Sequence, residues 1–217
     1  MKDRAESELK PDNHRIEAFS DGVFAIVITI MVLEVRIPDS LAFGSDRSAL
    51  VDFATYLGTY ALSFLVIANL WTSHHYLSFT LRRPARATLW YNNLLLFCVT
   101  LVPIGTRFLG MHPGSPRAGA AYGLVAAACT AGFILLRAHA ARLTDNPLHR
   151  GIHHRIIRRA TLFLVIYLAS IPLAFVSMWL AWACFVIVPP MLFLPLISGP
   201  VPAGHSREER ALERSCP

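Results

Sequence analysis

The sequence predicts an all-α, polytopic membrane protein of six transmembrane helices with both the N and C termini cytoplasmic. Three observations carry that prediction. Of 217 residues, 54% are hydrophobic and 16% charged, with a mean hydropathy of +0.48. Water-soluble domains carry about 25% charged residues, so this chain lacks the polar surface such a domain needs. Six apolar stretches also come close to or exceed the roughly 20 helical residues that cross a bilayer core of about 30 Å. Finally, the basic residues are one-sided. Sixteen of the 20 Lys and Arg residues fall on the N-terminal segment, on the connections after the second and fourth stretches, and on the C-terminal tail; Arg36, Arg47, Arg107 and Arg117 make up the rest. Short-loop Lys and Arg mark the cytoplasmic side. The net charge of +6 is thus a topology signal, and no nucleic-acid partner is expected.

The first span runs from Ile16 to Ile37 and stops at Pro38. The second, Leu50 to Leu81, is longer than a crossing needs and opens on Ser48 and Asp52, residues that suit a helix N-terminus. The third covers Thr88 to Leu109 and the fourth Ala118 to Leu136. The fifth, about 158–176, and the sixth, about 178–198, are joined by almost no loop, and Pro172, Pro189, Pro190 and Pro195 are expected to kink or break them. The domain reading is a cytoplasmic segment 1–14, a six-helix domain 15–198, and a polar, disordered cytoplasmic tail 199–217. The first fifteen residues are charged and have no apolar core of a secretory signal. Cys98, Cys129, Cys184 and Cys216 form no C-x-x-C pair, and three lie in apolar runs, so they are read as packing residues.

Polar residues inside the spans raise the functional question. From Gly22 to Leu33 every residue but Thr29 is apolar or glycine, yet Asp21 sits at the edge of that run. Asp21 lies six residues in from Arg15, His74 eight before Arg82, and Asn92 six after Arg86. A rise of 1.5 Å per residue places all three roughly 9–12 Å in from their basic anchors. Ser20, Thr72, Ser73, His75 and Asn93 are close in sequence, with Trp71 and Trp90 able to frame the cluster. A buried carboxylate needs donors, and the Ser20 hydroxyl, an imidazole N–H and the Asn92 amide are expected to supply them. The arrangement reads as an interhelical clasp; the alternative is a proton relay or metal site on Asp21, His74 and His75. Adjacent histidines point about 100° apart on a helix, which disfavours chelation.

A projection at about 100° per residue sets Ile26, Ile30 and Leu33 within about 60° of one another, with Gly22 on the same stripe, Thr29 flanking it about 60° from Ile26, and Asp21 about 140° away from Ile26. One face can grip neighbouring helices while the other meets lipid, another subunit or a pore axis. Periodicity does not choose among these.

The stretch RIEAFSDGVFAI, Arg15 to Ile26, continuing through Thr29, Ile30, Leu33 and Glu34, resembles the first-helix signature of the transmembrane protein 175 family of potassium channels. WTSHH, Trp71 to His75, resembles its second-helix segment. Trp90, Tyr91 and Asn92, then Val102 and Pro103, resemble its third, and ASIPLAF, Ala169 to Phe175, its final hairpin. The resemblance covers most of residues 15–198 and implies a prokaryotic-type member: a homo-oligomer, a tetramer, in the cell (plasma) membrane and in contact with membrane lipid. Four first helices would line a hydrophobic constriction, without the TVGYG filter that this sequence also lacks. It implies Ile26 as the narrowest ring, Ile30 and Leu33 as further apolar rings and Thr29 as a polar layer. Arg15, Phe19, Ser20 and Asp21 would tie the first helix to Trp71, His74 and His75 on the second and Asn92 on the third. Potassium is the implied permeant ion; no cofactor, metal or catalytic residue is implied. Glu34, Asp39 and Asp46 are candidates for concentrating cations at the outer mouth, or are simply solvated end charges.

Other patterns are weaker. His149 and His153 in HRGIHHR have helical metal spacing, but Gly151 and the neighbouring arginines favour a solvated connector that touches anionic lipid. GTRFLG, Gly105 to Gly110, lacks the lysine and preceding strand of a phosphate loop. No hydrolase or zinc-protease motif is present, so an enzyme is not expected. The alternative function is a proton-coupled secondary transporter that uses the Asp21/His74 cluster as titrating groups.

Overall fold

A computed structural model describes residues 13–35, 37, 47–78, 85–144 and 146–193. Among them the chain forms seven helices: α1 (Asn13–Leu33), α2 (Arg47–Ser78), α3 (Arg86–Thr100), α4 (Val102–Met111), α5 (Pro116–Arg142), α6 (Pro147–Val176) and α7 (Met178–Phe193). Helices α3 and α4 together make one crossing, Arg86–Met111; with it, five segments are long and apolar enough to span a bilayer, and α7 is a shorter apolar helix. The all-α, multi-span architecture follows the sequence pattern.

Two boundaries differ from expectation, each for a local reason, and the junction of the last two helices falls where it was expected. The third span is broken at Leu101, whose N–H turns back to Cys98 O at 3.1 Å. Pro103 follows at the start of α4; it brings no N–H, and its ring crowds the preceding turn. The fifth span begins eleven residues earlier than expected, so the histidine-rich 149–154 segment is the opening of α6 and not a connector; Arg150, Gly151, Ile152 and His154 are exposed on it and His153 is buried. Its start is built by Asn146, whose side chain accepts the Leu148 N–H at 2.9 Å, followed by Pro147 in the first turn. Helices α6 and α7 are separated only by Ser177, in extended conformation with its N–H bonded to Leu173 O at 2.8 Å. Pro172 lies inside α6, and Pro189 and Pro190 inside α7. Pro195, the far end of the expected sixth span, the segment 1–12 and the tail 199–217 lie outside the described residues, as do Asp39 and Asp46.

Two apolar clusters hold the bundle. One joins Phe24, Val27 and Met31 of α1 to Ile67 and Leu70 of α2, Leu95 and Val99 of α3, and Phe133 and Leu136 of α5. The other joins Leu62, Leu109, Tyr122, Phe163, Tyr167 and Phe185 across α2, α4, α5, α6 and α7. Helix α5 belongs to both and is the central post. Its small residues let neighbours come close: a Cβ on Gly132 would sit 3.2 Å from Leu95 Cα of α3, and one on Gly119 would sit 2.7 Å from the Met178 methyl. Lipid supplies no hydrophobic push between helices, so this close packing and interhelical hydrogen bonds carry association. One such set is buried between α2, α4 and α5, where Thr106 Oγ1 donates to Ser63 Oγ at 2.8 Å and Ser63 meets the Tyr122 hydroxyl at 3.1 Å.

Candidate functional site: the two faces of the first helix

Helix α1 has one buried edge and one open face. Ser20, Phe24, Val27 and Met31 are buried, at spacings of four, three and four residues that draw one stripe on a helix. The exposed side carries Gly22, Ile26, Thr29, Ile30 and Leu33. Ile26 is 58% exposed, Ile30 44% and Leu33 80%.

On the buried edge, His74 and Asn92, which the sequence sets at one depth with Asp21, meet Ser20 instead. Ser20 Oγ donates to Ile16 O at 2.8 Å, which commits its hydrogen. It therefore accepts from Asn92 Nδ2 at 3.0 Å. That fixes the amide orientation and turns Asn92 Oδ1 to His74 Nε2, 2.7 Å away. The Nε2 must then carry the proton, since an amide oxygen only accepts. Thus one asparagine from α3 joins α1 to α2, and all three side chains are buried.

Asp21 departs from expectation. Its partner is the Trp71 indole, Nε1 donating to Oδ1 at 2.8 Å, rather than Ser20, His74 or Asn92. Successive helical residues point about 100° apart, so when Ser20 faces α3, Asp21 is turned along the outer side of α2. There it is half-buried. One turn earlier Glu17 reaches His75 Nδ1 at 3.2 Å, and the His75 ring stacks on Trp71 with centroids 5.6 Å apart and 17° between planes. The clasp therefore has two tiers: a neutral buried one, and a peripheral one of two carboxylates on an indole and an imidazole. Glu17 escaped the sequence reading, although its place four residues before Asp21 puts it on the same face.

Arg15 and Phe19 are exposed and stand outside these hydrogen bonds, and so do exposed Trp90 and Asn93. Thr72 bonds only to Ala68 O, at 2.8 Å. Arg137 was counted among the cytoplasmic charges; it is 1% exposed. Its Nη1 donates to Ser73 O at 3.2 Å and its guanidinium lies 5.5 Å from the Phe133 ring centre, fastening α5 to α2 at the level of the clasp. His153, also taken for part of a solvated connector, is fully buried. Among the described residues no group of three or more His, Cys, Asp or Glu could hold a metal ion.

On the open face, Thr29 Oγ1 bonds only to its own helix, to Ile26 O at 2.9 Å and Ala25 O at 3.0 Å. A groove of about 470 Å³ runs beside Ile26 and Ile30, walled across by Thr100, Pro103 and Ile104. At its outer end Glu34 is paired with Arg107 at 3.2 Å. A carboxylate held by a guanidinium is a weaker cation attractor than the free acid the sequence suggested.

Comparison with known proteins accords with this geometry. The family described as endosomal/lysosomal potassium channel TMEM175 matches residues 15–103. A protein of Chamaesiphon minutus named as a potassium channel is 34% identical over 192 residues, covering 84% of this chain and 94% of its own length. Another, from a Chryseobacterium strain and also named as a potassium channel, is 39% identical over 110 residues; the match spans 51% of this chain and only 55% of that protein. Among solved structures, the crystal structure of a lysosomal potassium-selective channel TMEM175 homolog from Chamaesiphon minutus superimposes with a TM-score of 0.72 at 32% identity, covering 83% of this chain and 95% of that one. With matched sequence across nearly the whole length of a relative, and the same helices in the same places, the chain belongs to the TMEM175 family of potassium channels.

Proposed function

We propose that the chain conducts potassium through a path lined by the open face of α1, four copies of which surround a common axis in the cell membrane, with both termini in the cytoplasm. The observation that carries this is the division of α1 into a hydrogen-bonded edge and an exposed Ile26, Thr29, Ile30, Leu33 face. An apolar face alone would suit lipid. This one opens on a groove walled across by Thr100, Pro103 and Ile104 and includes the exposed Thr29, and the family that matches α1 is one of potassium channels. Rings of Ile and Leu cannot replace an ion's hydration shell, so they gate by dewetting. Selectivity then follows from how much water each ion sheds, which implies a modest preference for potassium over sodium.

A proton-coupled transporter would need Asp21 and His74 to exchange protons. Their separate partners, Trp71 and Asn92, weigh against it. The test is flux of potassium and sodium in liposomes carrying purified protein, with Ile26→Asn beside the parent. A polar ring should wet the constriction, raising conductance and reducing discrimination between the ions. Unchanged conductance and preference would remove Ile26 from the path. Uptake that saturates and requires a pH gradient would favour the transporter.

A further inference from the structure

Helix α1 ends at Leu33 with no basic residue in its last turn. Its terminal carbonyls leave about half a negative charge at the outer end of the helix, and Glu34 adds a full one. Glu34 also belongs to the open face. It follows Ile30 by four residues and Ile26 by eight, which turns it only about 40° and 80° from them and sets it about 6 Å beyond Ile30. All three line one groove. The answering charge comes from another helix. Arg107 of α4 reaches the Glu34 carboxylate at 3.2 Å, and the two side chains are 46% and 32% exposed. Arg107 stands on a fixed base. Thr106 beside it is buried and bonded to Ser63 of α2, and a Cβ at Gly110, three residues on, would sit 2.7 Å from the Tyr56 ring of α2. Packing on α2 thus holds the α4 backbone while the guanidinium turns to α1. An ion pair so exposed adds little to stability; what it changes is the field at the outer end of the open face.

We propose that Arg107 limits potassium entry from the outer side, by cancelling the charge of Glu34 and the carbonyl end of α1 where ions enter the path. Charge of one sign gathered at a mouth raises the local counter-ion concentration, and rings of carboxylates do so in cation channels. With Arg107 in place, the four Glu34 side chains about one axis do not act as such a ring; without it, they do. The inference rests on the reading that the open face of α1 surrounds the ion path.

The test is potassium current through single channels of the full chain in planar bilayers, in about 10 mM and about 1 M potassium chloride, where charges are screened over about 30 Å and about 3 Å. Arg107→Gln should raise the current entering from the outer side about threefold in dilute salt and leave it unchanged in concentrated salt. Glu34→Gln, which leaves the guanidinium alone, should lower the dilute-salt current by a similar factor. The Glu34→Gln/Arg107→Gln double variant should follow the parent, and so should Arg107→Lys, which keeps the charge. A merely structural pair would instead give losses in both single variants at either salt. That result, single variants that shift the current in the same direction, or a dilute-salt current unmoved by Arg107→Gln would each overturn the proposal. Ile26→Asn is measured beside them. If it alters the current while the pair variants do not, only the role of Arg107 falls; if it too is silent, the path reading falls and takes this inference with it.

Discussion

Asn92 is the residue on which the neutral tier of the clasp turns, because its amide serves Ser20 and His74 at once. Asn92→Leu leaves the His74 Nε2–H buried without an acceptor, and we expect a loss of about 1–3 kcal/mol, read as a lowered melting temperature of the solubilised protein. Ser20→Ala should cost less, since part of what it removes is a hydroxyl bonded to its own helix. Trp71→Phe removes the donor to Asp21 at a partly wet position, so the loss there should be smaller still, about 1 kcal/mol. A melting temperature for Asn92→Leu equal to the parent's would end the view that this asparagine ties three helices. The shared depth of His74, Asn92 and the Ser20–Asp21 pair was legible in the sequence because helical rise converts residue spacing into depth. The partner of Asp21 was not. Depth says nothing of a helix's rotation about its axis, and one step of 100° separates the Asn92 side from the Trp71 side.

Among the elements, α5 is the least forgiving. Gly132 faces the backbone of α3, with a Cβ placed 3.2 Å from Leu95 Cα and 3.6 Å from Leu95 N, atoms that no rotamer change can move. Gly132→Val should therefore push α3 from α5 and cost about 1–3 kcal/mol, seen as poorer yield of folded protein and a lower melting temperature. Gly123 meets the Ser170 hydroxyl and the Tyr167 carbonyl of α6 in the same manner, so Gly123→Leu should act similarly on the α5–α6 pair. Gly151 of α6, where an added Cβ would meet nothing within 4 Å, is the internal control: Gly151→Ala should leave melting unchanged or slightly raised, because alanine is the better helix former. The apolar runs made the crossings readable, but helix ends were less so. The start of α6 had its signal in Asn146-Pro147, a cap followed by a first-turn proline, which the glycine and histidines downstream obscured. The break at Leu101 had its signal in Pro103, masked by the apolar residues on either side of it.

The molecule as a whole presents α1 with half its surface unclaimed by its own chain. Assembly is the economical use of such a face, and we expect light scattering of the solubilised protein, after correction for detergent, to give four times the chain mass of 24.1 kDa. Composition and the one-sided arginines made the multi-span class legible. Periodicity also separated the two faces of α1, but it did not say what the open face meets, because lipid, a neighbouring subunit and a dewetted passage all accept Ile and Leu. The most direct measurement is potassium flux through liposomes carrying a cysteine-free background with a single Ile26→Cys change, treated with a membrane-impermeant cationic thiol reagent. If the open face of α1 surrounds the ion path, modification at residue 26 blocks flux, while the same treatment of Trp179→Cys on exposed α7 leaves it unaltered. Flux that persists after residue 26 is shown by mass to be modified, or a thiol there that only lipid-soluble reagents reach, would contradict the account.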